Sequence, residues 1–95
     1  MNDTELKGIM GLCVRAGQAV FGEEGCMRAL NTGTCGVLLL DGEISPKSRK
    51  RYEEACGRTG TPVRLLTGGL ILAATGRPGM AMAVQKGSFS DRLTG

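Results

Sequence analysis

The residues able to do chemistry fall in a few short stretches. In Gly22-Glu23-Glu24-Gly25-Cys26-Met27-Arg28 a glycine precedes two acids, and a cation follows about one turn into the helix that the acids open. The free N–H groups of that helix end point outward, and the carboxylates suit its dipole. With Arg28 one turn in, the corner can dock a phosphate backbone or a base edge. A second stretch holds Lys47, Arg49, Lys50, Arg51 and Arg58 against Glu53 and Glu54, a surplus equal to the whole chain's net charge of +3. Four of these cations sit in the first two turns of a helix, where positive charge opposes the dipole. Helix stability does not explain them; a contact to an anionic partner and a plain solvated helix face are the two readings that stand.

The remaining polar groups point away from catalysis. The chain has no His. Asp41 and Glu43 follow a buried strand, but no second constellation accompanies them, and an acid there serves as a turn former. Glu23 and Glu24 form a formal acid/base pair whose placement at a helix start needs no catalytic explanation. No G-x-G-x-x-G follows a strand and no G-x-x-x-x-G-K-[ST] occurs, although Gly makes up 16 of 95 residues. Thr67-Gly68-Gly69 reads as a turn and cap. The expectation is a protein that is not an enzyme and needs no cofactor.

Composition narrows the class further. A chain of 95 residues reads as one domain spanning 1–95, burying about 60–65% of its unfolded surface. Rings are scarce, with Phe21, Tyr52 and Phe89 making up 3% of the chain, so the core is aliphatic. Readers of single strands that stack bases on several aromatic platforms are thereby excluded. Cys13, Cys26, Cys35 and Cys56 contain no Cys-x-x-Cys pair, so they read as reduced, buried thiols and not as a zinc site. The polar, acidic start carries no signal-peptide pattern, and no apolar run reaches membrane-spanning length. A cytoplasmic protein with no membrane partner is expected.

The elements that position these residues centre on Cys35-Gly36-Val37-Leu38-Leu39-Leu40, an unbroken apolar run of strand length. Such a strand is buried on both faces. A first helix, capped by Asp3 or Thr4, carries Leu6, Ile9, Met10, Cys13 and Val14 on one stripe and stops at Gly17. Gln18–Phe21 is a short strand. The Glu23 helix turns Cys26, Met27, Ala29 and Leu30 inward and closes at Gly33. Ser45-Pro46 caps a helix running to Gly57 or Thr59. Val63–Leu66 is a third strand, Thr67 caps a short helix to Ala74, and Met80–Val84 is a fourth strand. Phe89 and Leu93 pin a last turn. Strands alternating with helices give an α/β fold, a three-layer α/β/α sandwich.

The order of these residues resembles a known family. Ala16-Gly17, Gly22-Glu23-Glu24, Arg28-Ala29-Leu30, Gly33 and Val37–Asp41 match the superfamily of ribosomal proteins L-seven-Ae and L-thirty-e. Ala74–Pro78, Ala83-Val84 and Lys86–Phe89 fit its bacterial, YlxQ-like branch. The resemblance implies a sandwich around a four-stranded mixed sheet. It also implies binding of structured RNA, typically kink-turns in rRNA or regulatory RNA, and association with the ribosome. In the family a Gly-x-Asn-Glu-x-x-Lys motif reads tandem G·A pairs, and a loop before the last strand packs on flipped-out bases. By position, Gly22, Glu24, Gly25 and Arg28 stand in the motif, and Gly76, Arg77, Pro78 and Gly79 in the loop. Glu24 replaces Asn and Gly25 replaces Glu. An ionised Glu only accepts where Asn also donates, and Gly25 has no side chain to offer.

Together these readings give an RNA-binding protein whose contacts are Gly22, Glu23, Glu24, Gly25, Arg28 and the loop Gly76–Gly79. Lys47, Lys50 and Arg51 join them on grounds of charge. The alternative is a protein-interaction module that kept the fold and lost RNA selectivity.

Overall fold

A computed structural model describes residues 1–94 of the chain. Nine elements follow in order: α1 (Asp3–Arg15), β1 (Ala19–Phe21), α2 (Glu23–Asn31), β2 (Cys35–Asp41), α3 (Pro46–Thr59), β3 (Val63–Leu66), α4 (Leu70–Thr75), β4 (Ala81–Gln85) and α5 (Ser88–Thr94). The strands form one sheet in the order β1-β4-β2-β3. β4 runs antiparallel to both β1 and β2, and β2 runs parallel to β3, so the sheet is mixed.

Side chains of β2 alternate between two cores. Val37 and Leu39, level with Val84 and Met82 of β4, pack with Leu66 against Leu6, Ile9, Met10 and Cys13 of α1, Ile71 of α4 and Leu93 of α5. Leu38 and Leu40, level with Ala83 and Ala81, pack against Cys26 and Leu30 of α2 and Tyr52, Ala55 and Cys56 of α3. The layers are therefore α1/α4/α5, sheet, and α2/α3. Each face of β2 buries aliphatic carbon at about 25 cal/mol per Å², which is why its apolar run shows no alternation. The alanines of β4 lie under α2 and α3, where their small side chains admit the helices closely.

Local chemistry sets the ends. Asn2 caps α1, its Oδ1 accepting the Glu5 N–H at 2.9 Å. This corrects the expected cap by Asp3 or Thr4: both lie inside the first turn, and Asn2 reaches the N–H three residues on. Ser45 caps α3 and Pro46 opens it, as expected. Thr67 does not cap α4. Gly69, in the left-handed region at φ 83°, is the N-cap, and α4 begins only at Leu70. Met27 and Val14 are half-buried rather than core residues. Gly36 lies at an irregularity in the β2–β4 register, and a Cβ there would collide with the Ser90 side chain of α5. No helix among the described residues is long and apolar enough to cross a membrane.

Candidate nucleic-acid interface

The topology gathers four connections along one edge of the sheet. β1, β2 and β3 all end there, and antiparallel β4 begins there. The edge therefore collects Gly22-Glu23 after β1, Gly42–Ser45 after β2, Thr67–Gly69 after β3 and Arg77–Met80 before β4. A cavity of about 520 Å³ opens between the first, second and last of these, with Gly22, Glu23, Ser45, Tyr52, Pro78 and Gly79 in its wall.

Two of these connections are tied together beneath the surface. The Asp41 carboxylate is buried, accepting the Glu43 N–H at 2.8 Å and the Gly69 N–H at 2.9 Å. This bears out the reading of Asp41 as a turn former and extends it, since one side chain holds both the β2–α3 and β3–α4 turns. Gly42 is required by the same approach, because a Cβ would lie 2.5 Å from the Leu66 carbonyl oxygen.

The α2 corner is open. Gly22 has φ 83°, and no side chain caps the helix it precedes. Its first N–H groups are thus free to meet an anion from outside. Arg28 is exposed and its guanidinium donates to Glu24 Oε1 at 2.9 Å, one turn back on the same helix. Arg51 of α3 reaches across to Glu23 Oε1, also at 2.9 Å. The basic stretch of α3 and the glycine corner are therefore one surface, with Lys47 and Lys50 exposed beside Arg51. Exposed pairs of this kind contribute at most about 1 kcal/mol, so a phosphate can displace the carboxylate at small cost.

The β4 loop completes the edge. Gly76 ends α4 in the left-handed region, and Arg77 lies with its guanidinium 4.6 Å from the Phe21 ring centroid. Pro78 and Gly79 turn into the cavity. Gly22, Glu23, Pro78 and Gly79 thus share one cavity. Gly25 and Arg28 do not open onto it; they border a smaller hollow of about 200 Å³ beside β1, with Val20, Thr32 and Thr34. Gly25 is where α2 crosses β1 closely, since a Cβ would stand 2.8 Å from Val20 Cγ1.

Sequence reasoning missed other residues of the cavity wall, among them Ser45, Ser48 and Tyr52. Their signal was present in the side of the α3 helix that Ser48 and Tyr52 share. Burial pushes the Tyr52 hydroxyl up to about 12, so it stays protonated through the neutral range. The four thiols are free and buried. Burial raises Cys13, Cys26 and Cys56 to about 11 and lifts Cys35 in the same direction. No cluster of His, Cys, Asp or Glu suited to a metal occurs among the described residues.

Solved structures share this architecture. A Bacillus halodurans protein of unknown function superposes with a TM-score of 0.87 at 25% identity, over 92% of this chain and 90% of that one. A 15.5kD RNA-binding protein of Giardia lamblia superposes with a TM-score of 0.78 at 14% identity, over 96% and 79% of the two chains. Pelota of Thermoplasma acidophilum gives 0.71 at 17% identity over 88% of this chain, which spans 28% of Pelota. No protein-family model matches the sequence, and no curated protein does. The chain therefore shares the fold of these proteins, a sandwich around a four-stranded mixed sheet as the sequence resemblance implied.

Proposed function

We propose that the chain is a non-catalytic RNA-binding protein that grips a folded, bent RNA at the loop edge of its sheet, in the manner of kink-turn binders. The observation that carries this reading is the convergence of the uncapped α2 corner, the α3 cations and the Arg77–Gly79 loop on one exposed edge. The fold likeness to an RNA-binding Giardia protein supports it. In this reading Arg28, Lys47, Lys50, Arg51 and Arg77 meet phosphates, while the Gly22–Gly25 backbone approaches the minor groove. Association with the ribosome, a place in the YlxQ-like branch and a cytoplasmic site belong to the same proposal. The deciding experiment is a titration of a kink-turn RNA against a straight duplex at several salt concentrations. Tighter, salt-sensitive binding of the bent RNA is expected, since counterion release dominates. Equal affinities reduce the protein to a general RNA binder.

A specific observation favours the second reading, a protein-interaction module. Arg28 and Arg51 are already engaged by Glu24 and Glu23, and the two acids make the corner less attractive to a polyanion. Absence of binding to any structured RNA at low salt would favour this module.

A further inference from the structure

The outer face of α1, on the layer opposite α2 and α3, is complementary to itself. Glu5, Gly8, Leu12 and Arg15 fall within about 80° of the helix circumference, and all four are exposed. Leu12 is 46% exposed, in a protein whose other leucines on this helix are buried. Gly8 sits in mid-helix, where glycine is weaker than alanine, yet a Cβ there would meet nothing within 4 Å. Gly11, by contrast, has a neighbour in the Ala74 carbonyl at 3.5 Å. That distance is an ordinary contact, so packing inside the chain requires glycine at neither position. Around Gly8 lies a groove of about 460 Å³, with Met1, Ile9 and Leu12 apolar and Glu5, Arg15 and Arg92 charged.

The spacing on this stripe is symmetric about Met10. Leu12 lies as far beyond it as Gly8 lies before it, and Arg15 as far beyond as Glu5 before. We infer that a second copy of this chain occupies the groove, with the two α1 helices antiparallel about a two-fold axis at Met10. Each Leu12 then fills the space left by Gly8 on the other copy, and each Glu5 meets Arg15 of the other copy. Neither Glu5 nor Arg15 forms an ion pair within the described residues, so both are available. A two-fold contact requires this self-complementarity, residue by residue. One helix face is smaller than a standard interface, so the dimer is a weak and reversible one. The groove shares no lining residue with the cavity at the loop edge.

Sedimentation equilibrium over a concentration series tests the inference. The unaltered chain is expected to dimerise reversibly. Glu5→Arg and Arg15→Glu should each weaken the dimer by about tenfold or more, and the double reversal should restore it to within about threefold. Gly8→Gln, whose Cβ meets nothing within 4 Å and which favours the helix, should stay folded by circular dichroism and sediment as a monomer. A chain that stays monomeric to about 1 mM, a Gly8→Gln variant that dimerises like the parent, or a folded double reversal that stays monomeric overturns the inference.

Discussion

The Arg77 guanidinium stacks over the Phe21 ring, 4.6 Å from its centroid, and so fastens the loop before β4 to the end of β1. This contact joins two elements that both border the proposed RNA edge. With Arg77 exposed and Phe21 half-buried, the contact contributes about 0.5–1 kcal/mol. Phe21→Leu keeps the apolar packing and removes the ring's face. It is expected to weaken RNA binding about two- to fivefold by letting the loop move, with little loss of thermal stability. A gel shift with the kink-turn RNA reads the first effect and a melting curve the second.

Arg28 and Glu24 make opposite predictions. Arg28→Ala should weaken RNA binding by about 1–3 kcal/mol. Glu24→Gln removes the carboxylate that Arg28 now contacts at 2.9 Å and should strengthen RNA binding while steepening its salt dependence. Titrations at two salt concentrations distinguish them. Equal affinities for both variants and the parent would place the RNA elsewhere.

Asp41 supports the edge without touching RNA. Asp41→Ala strands the Glu43 and Gly69 N–H groups that its carboxylate now satisfies. The expected cost is about 2–4 kcal/mol of folding stability, read by urea denaturation. Gly42→Ala should also destabilise the fold, because its new methyl group meets the Leu66 backbone oxygen and not a movable side chain.

Much of this was legible in the sequence, for physical reasons that differ between elements. The apolar run of β2 could satisfy no other environment than a doubly covered strand, and Ser45-Pro46 marks a helix start by cap and fixed dihedral alike. Strand order was not legible, because nothing in the spacing states that β4 inserts between β1 and β2. Thr67 looked like a cap because its hydroxyl suits the role. The buried Asp41 carboxylate instead holds the Gly69 N–H, and the left-handed glycine starts the helix two residues later. Gly22, Pro78 and Gly79, far apart in the chain, line one cavity. The links Arg51–Glu23 and Arg77–Phe21 were hidden, since each depends on how distant elements pack.

The thiols predict an alkaline limit. Burial raises Cys13, Cys26 and Cys56 from an ordinary 9.0 to about 11. Above pH 9 the unfolded chain loses these protons while the folded chain keeps them. Stability is therefore full below pH 9 and falls as pH climbs toward 11, by roughly 2 kcal/mol for each thiol. Melting temperatures measured from pH 7 to pH 11 should be flat and then fall. A constant melting temperature up to pH 10.5 would contradict the burial of these groups.

The carboxylate of Asp41 gives the mouth of the cavity two unequal jaws. The jaw built from the β2–α3 turn is bolted to a buried anchor that also holds the β3–α4 turn, whereas the one built from Pro78 and Gly79 follows directly on the Arg77–Phe21 stack. A molecule entering the mouth would meet one wall tied down from within by two hydrogen bonds and another secured by a single cation–ring contact.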